Sequence, residues 1–224
     1  PRATPLLKRL IADPAAHVTR IRTVENADNL APGFLERLVK RYGGTRLARQ
    51  ELDGELIEDR EDALWKRGQL EGLRGPVPED LKRIVVAVDP PASSGKTADA
   101  CGIVAVGLTG DGVAHVLADA SVKRAAPAVW AAAAVRLYRE LQADCLLAEV
   151  NQGGEMVESV IRTIDADVPV RSARASRGKW LRAEPVAALY EQGKVRHAGR
   201  FAELEDEMCN FGRDGLAGGR SPDR

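Results

Sequence analysis

Ile84-Val85-Val86-Ala87-Val88-Asp89-Pro90 is the stretch that decides the fold, because it is an apolar strand that ends in a carboxylate. The same arrangement recurs in Cys145-Leu146-Leu147-Ala148-Glu149-Val150-Asn151. An ionised acid at the end of a buried strand is half desolvated, which is costly unless a cation or a hydrogen-bond donor faces it. The pair Asp89 and Glu149 therefore predicts a site for a divalent cation at the rim of a sheet.

The segments around these two strands predict a mixed sheet. Strands at 101–108 and 113–120 are joined by Thr109-Gly110-Asp111-Gly112, whose Asp-Gly is a strong hairpin signal. Helices and strands then alternate: helices at 127–142, 153–164, 180–192 and 201–211, and strands at 145–149, 168–171 and 194–197. Three antiparallel strands followed by alternating helices and strands form an α/β sheet covered on both faces. This is the order of the ribonuclease H-like plan.

Residues 1–80 differ from the rest and predict a small, mainly helical appendage. Helical spacing or capping signals predict helices at 6–12, 32–41 and 47–52, and alternating polarity predicts a strand at 18–24. The acidic stretch 55–62 and Gly75-Pro76-Val77-Pro78 indicate a linker. We therefore place the domain boundary at about residue 80, with the α/β domain spanning 81–224.

Composition sets only broad limits. Lys+Arg and Asp+Glu both total 33 in the 224 residues, so only a local cluster could favour a polyanionic partner. Cys101, Cys145 and Cys209 are an odd number without metal-type spacing, which indicates reduced core residues of a cytosolic protein. No apolar run approaches the roughly 20 residues that span a membrane, so we expect no membrane partner. The missing initiator Met leads us to expect a fragment.

One motif imitates a nucleotide site. Ser94-Gly95-Lys96-Thr97 follows an apolar strand, as the end of a P-loop does. The first glycine position is Pro90, however, and Pro90 and Pro91 have no amide hydrogen with which to bind phosphate. The motif is also followed by a predicted strand, where a P-loop requires a helix. A solvated turn is the better interpretation.

The two strand-end acids have alternative explanations when they are taken singly. Asp89 could accept hydrogen bonds from loop amides, and Glu149 could cap the following helix. Together, on strands that lie side by side in this topology, they favour a shared metal site. Asp99 could add a ligand or be an exposed turn residue, whereas a lone His197 on a short strand is more often structural.

The α/β region resembles the nuclease domain of large terminase subunits, the DNA-packaging motors of tailed phages and gene transfer agents. The resemblance rests on stretches found in order: Val86-Ala87-Val88-Asp89-Pro90, Asp99-Ala100-Cys101-Gly102-Ile103-Val104, Ala148-Glu149-Val150-Asn151-Gln152-Gly153-Gly154, Lys179 with Arg182 and Pro185, and Ser221-Pro222-Asp223-Arg224. Residues 28–35 and 44–52 are similar to the tail of the same subunit's ATPase domain. Residues 1–80 would then be a remnant of the motor.

The resemblance implies a two-metal endonuclease that cuts concatemeric double-stranded DNA in the bacterial cytoplasm, at the capsid portal, during packaging. Asp89 would bridge two Mg²⁺ or Mn²⁺ ions and Glu149 would hold one of them. The family's closing motif continues with a further acid beyond Arg224, so the third ligand is either Asp223 or lies past the last helix as it stands here. The expected partners are DNA, the ATPase domain, the portal and the small terminase subunit.

A basic cluster is the candidate DNA-binding segment, since phosphate neutralisation supplies most non-specific affinity. It consists of Arg171, Arg174, Arg177, Lys179 and Arg182. A solvated basic loop is the alternative interpretation. No sequence-reading motif is present, so cutting should depend little on sequence.

Two other functions fit the same pattern. A resolvase or transposase core with a ribonuclease H-like fold would use the same acids, although the motor-like leader disfavours it. A non-catalytic docking module with an incomplete acidic site is the second. Metal-dependent nicking of plasmid DNA would separate the docking module from both nucleases.

Overall fold

The computed structural model describes residues 5–42, 46–55, 60–91, 100–150 and 154–216, and the chain divides into two compact units, residues 1–60 and 61–224. The first unit contains α1 (Pro5–Ala12), a 3-10 helix (Thr23–Asn29), α2 (Phe34–Tyr42) and α3 (Arg46–Glu51). Its three predicted helices are confirmed. The strand predicted at 18–24 is wrong, because Val18 and Ile21 are exposed and no strand pairs with this segment in the described part of the unit.

The second unit is built on a six-stranded mixed sheet in the order β5-β4-β1-β2-β3-β6. Its strands and helices, in chain order, are α4 (Arg67–Gly72), β1 (Leu81–Asp89), β2 (Gly102–Thr109), β3 (Ala114–Asp119), α5 (Pro127–Glu140), β4 (Cys145–Glu149), α6 (Gly154–Ile164), β5 (Val170–Ala173), α7 (Lys179–Glu191), β6 (Val195–His197), α8 (Ala202–Asn210), β7 (Phe211–Gly212) and β8 (Gly215–Leu216). The antiparallel unit β1-β2-β3 and the parallel pairing of β4 with β1 agree with the sequence prediction.

Alternation along β1 and β4 sends their side chains to opposite faces of the sheet. Val86, Val88, Leu146 and Ala148 are buried on one face, in a core completed by α5 and α6. The alanines of α5 carry little bulk, so the helix can lie close to the sheet. Asp89 and Glu149 fall at alternate positions and therefore belong to the opposite face.

That opposite face is covered at the β3-β6 end by α4, α7 and α8. Their core includes Trp65, Leu70, Tyr190, Leu204 and Phe211. Residues 61–80, which the sequence patterns indicate as a linker, thus contribute to the core of the second unit through Trp65 and Leu70. The description of residues 1–60 as a motor remnant stays a prediction.

A buried ionic network lies within this second core. The Nδ1–H of His197 donates to Oε1 of Glu205 at 3.2 Å, and the His197 Nε2 lies 2.8 Å from the Tyr190 hydroxyl. The Arg74 guanidinium also donates to the Glu205 carboxylate. His197 and Glu205 are both fully buried. His197 is therefore a structural residue, away from the strand-end acids.

All three cysteines are free and buried, as the sequence predicts. Among the described residues, no helix is long and apolar enough to cross a membrane.

Candidate metal and DNA site

The two strand-end acids lie at the same edge of the sheet. β1 and β4 are parallel neighbours with Val88 opposite Ala148, so the next residue of each strand, Asp89 and Glu149, is carried to the same rim. Each strand ends there. The tertiary structure therefore brings together the two acids that the sequence singles out.

These acids open into a cleft of about 310 Å³. The cleft is lined by Ala87, Val88, Asp89, Gly102, Val104, Leu147, Glu149, Ala173 and Arg182. Most of its wall is backbone and aliphatic side chain from four adjacent strands, so the carboxylates and Arg182 are the charged groups among the lining residues. A concave site with a few convergent charged groups is the usual form of an active site.

Glu149 is held by a cation from α7. Nη1 of Arg182 donates to Oε2 of Glu149 at 3.0 Å, and the two side chains are 35% and 19% exposed. Arg182 belongs to the first turn of α7, where its amide donates to the Gly178 carbonyl at 3.2 Å. The pair is therefore partly removed from water and anchored to the backbone on both sides.

Asp89 faces the second cation of the same helix turn. Nζ of Lys179 lies 3.9 Å from Oδ2 of Asp89, which is longer than a hydrogen bond, and the side chains are 37% and 42% exposed. Lys179 and Arg182 are three residues apart, so they lie on one face of α7. One turn of this helix thus places a positive charge beside each acid.

The thiol under Asp89 is not a nucleophile. Burial, and then the nearby Asp89 charge, raise the pKa of Cys101 to about 12. The thiol therefore stays protonated near neutral pH, and the cleft chemistry is left to the carboxylates.

The remaining predicted residues divide into two groups. Arg174 and Arg177 are exposed on the segment between β5 and α7. Asp99, Asp223 and the P-loop-like residues 94–97 lie outside the described residues. β2 follows residue 101 directly, so the helix that a P-loop requires is absent from this described segment. Within the described ranges, no group of three or more His, Cys, Asp or Glu residues could hold a metal ion.

The pairing of Lys179 and Arg182 with the acids is a feature that the sequence analysis missed. Both residues were predicted to bind DNA because they belong to a basic run. Their three-residue spacing in the first turn of a helix was a signal that they act together. Only the folded chain shows that this face of α7 points at the strand-end carboxylates.

Comparison with known proteins extends these observations. Residues 86–224 match the sequence family described as the Terminase RNaseH-like domain. The described fold is similar to the large terminase from a thermophilic bacteriophage, with 11% identity and a TM-score of 0.52, over 90% of this chain and 49% of that one. No curated protein sequence matches the chain.

Two isolated nuclease domains are also similar. The manganese and beta-thujaplicinol complex of a mutant large terminase nuclease domain from bacterial virus Sf6 is 16% identical, with a TM-score of 0.50, over 70% of this chain and 85% of that one. The large terminase nuclease of a second thermophilic phage, G20c, is 15% identical, with a TM-score of 0.47, over 65% and 80%. The predicted RNase H-like fold is confirmed by the family match and the mixed sheet.

Proposed function

This chain belongs to the Terminase RNaseH-like domain family, and we propose that it is the metal-dependent endonuclease part of a large terminase. It would cut double-stranded DNA with little sequence preference during packaging into a capsid. The observation that carries the proposal is the placement of Asp89 and Glu149 at one rim of a cleft, on neighbouring parallel strands. The chain corresponds to about half the length of the first similar large terminase, so the activity of a whole packaging motor is part of the proposal.

The donor set fits Mg²⁺ or Mn²⁺. Both ions prefer carboxylate oxygens, and the cleft offers two carboxylates that already have positive charges beside them. When bound, such ions would activate a water and offset the charge on the leaving 3′ oxygen. Asp89, on the more central strand, would bridge two ions, and Glu149 would hold one.

Asp223 is the proposed third ligand within this sequence. Two carboxylates alone leave much of the coordination of two ions to water, so a third acid is needed for a tight second site. Asp223→Asn should then lower the number of tightly bound Mn²⁺ ions from two to one. If calorimetry gives the same stoichiometry for the variant and the wild type, the third ligand is another acid.

The chain's own charges also suggest how DNA is held. Arg174 and Arg177 are exposed beside the strand that ends next to the cleft, where they could neutralise phosphates on either side of the scissile bond. Lys179 and Arg182 would contribute closer to the acids. DNA and an ATPase domain are the proposed partners, together with the portal and the small terminase subunit, in the bacterial cytoplasm.

Nicking of supercoiled plasmid tests the proposal. The wild type should convert plasmid to open circles with Mn²⁺ and stay inactive with a chelator. Asp89→Asn should abolish the reaction, and Asp167→Asn, an acid in an exposed turn before β5, is the matched control and should retain it. A wild type that binds DNA without cutting it would favour a docking module, and equal rates for Asp89→Asn and wild type would contradict the proposed site.

A further inference from the structure

We propose that Arg182 is the resident counter-ion of the acidic site and that it sets the site's affinity for divalent ions by opposing their charge. The inference rests on the proposed function, because it concerns the metal site of the nuclease. It goes further by giving Arg182 a role toward the metal that is separate from DNA binding.

The contact with Glu149 is the first support. The Arg182 guanidinium donates to Glu149 Oε2 at 3.0 Å, and Glu149 is only 19% exposed, so the pair is shielded from water more than a surface ion pair is. An arginine keeps its charge at every pH at which a protein is folded. The positive charge is therefore a permanent part of the cleft.

The position of Arg182 in α7 is the second support. The positive end of the helix dipole lies at its first turn, where cations destabilise a helix. This first turn nevertheless carries Lys179 and Arg182 and has no acid. A local cost of this kind is explained when the charges face carboxylates across the cleft, as both do.

The two cations differ in how firmly they are placed. The Lys179 ammonium is 3.9 Å from Asp89 and makes no hydrogen bond to it at that distance. The Arg182 contact uses Oε2 of Glu149, so a metal could be ligated through Oε1 without breaking the pair. Arg182 is thus expected to stay beside the site when metal enters, and Lys179 is expected to move away.

A charge that stays must oppose an incoming divalent ion. Replacing Arg182 by Gln removes one positive charge a few ångströms from the bound metal, and Coulomb's law at a partly exposed site predicts roughly tenfold tighter binding of Mn²⁺. Arg182→Lys keeps the charge and should bind Mn²⁺ within about twofold of the wild type. These expectations are specific to charge, since loss of packing alone would weaken binding.

The experiment is titration of the complete chain with Mn²⁺ followed by calorimetry, without DNA. Arg136→Gln is the matched control, because Arg136 is an exposed arginine of α5, the helix that packs on the other face of the sheet. It should bind Mn²⁺ as the wild type does. Arg182→Met, which keeps the aliphatic stem, replaces the Gln variant if that variant does not fold.

The outcomes separate the inference from the proposed function. Tighter Mn²⁺ binding by Arg182→Gln, with Arg182→Lys near the wild type, supports the inference. Unchanged or weaker binding by Arg182→Gln, in the presence of normal wild-type binding, overturns the inference and leaves the nuclease proposal standing. A wild type that binds no Mn²⁺ overturns both.

Discussion

Nδ1 of His197 lies 3.2 Å from Oε1 of Glu205, and both side chains are fully buried. Burial by itself raises the pKa of Glu205, but hydrogen bonds from His197, Arg74 and the Phe201 amide, together with the Arg74 charge, outweigh it. The pKa falls to about 2. This carboxylate therefore remains ionised inside the protein at any pH at which the fold persists.

The first prediction is a loss of stability in acid that depends on Glu205. Its folded pKa is lower than its unfolded value of 4.5, so the unfolded chain binds the extra proton between those values. The contribution is fully present above about pH 5 and is lost as the pH falls toward 2, on the order of 3 kcal/mol in total. Urea unfolding of the wild type and Glu205→Gln at pH 7, 5, 4 and 3 measures it. The variant should be less stable at pH 7 and less dependent on pH, and parallel curves for both proteins would rule out this role.

The second prediction concerns residues 61–80. Leu70 is fully buried and Trp65 is 6% exposed, so this segment is part of the second unit's core. Leu70→Ala should cost about 2–5 kcal/mol of unfolding free energy, as for other buried leucines. A chain that begins at residue 61 should melt cooperatively, whereas one that begins at residue 81 should lose near-ultraviolet circular dichroism. Equal melting temperatures for the two chains would place the boundary near 80 after all.

The third prediction separates the two halves of the basic run. Arg174 and Arg177 are exposed, so replacing both by Ala should lower the magnitude of the slope of log affinity against log salt by about 1.8, at 0.9 per phosphate contact. Replacing Lys179 and Arg182 should change the slope less, because those cations already face Asp89 and Glu149. Fluorescence anisotropy with a labelled duplex and a chelator, over a range of salt, gives both slopes. If the two double variants have the same slope, their split into separate roles is wrong.

The fourth prediction compares the two acids without metal. The sequence suggests that removing either carboxylate relieves repulsion, but each acid has a cation beside it. Glu149→Gln should therefore destabilise the metal-free protein by about 1 kcal/mol, since it leaves the partly buried Arg182 without its anion. Asp89→Asn should change stability by less than about 0.5 kcal/mol, because its pair is exposed and long. Urea unfolding in a chelator measures both, and stabilisation by Glu149→Gln would show that repulsion dominates.

Much of the second unit's sheet follows from local patterns. The turn 109–112 shows why: the Gly112 amide donates to the Thr109 carbonyl at 3.1 Å, and Gly112 has a φ of +83°, which favours glycine. An Asp-Gly pair between two apolar runs therefore predicts this hairpin from four residues alone. Periodicity predicts α5 and α7 in the same way, because each buries one face.

Periodicity failed where no neighbour completes the element. Residues 18–24 alternate as a strand does, yet a strand needs a partner for its backbone groups, and this segment forms a loop and the start of the 3-10 helix. The short helix α4 was missed because Gly68, Gly72 and Gly75 hide its apolar spacing. Its stability comes from packing Leu70 against the second core, which is a long-range effect.

The sequence by itself determined the order of the sheet and the two acids of the site, since an acid at the end of an apolar strand in this order can only reach the rim. Tertiary structure alone decided what faces those acids. Glu149 and Arg182 are 33 residues apart, and Arg74 and Glu205 are 131 apart, so no local pattern relates them. Such pairs form because folding buries each charge where only an opposite charge can offset its desolvation, and that depends on how whole elements pack.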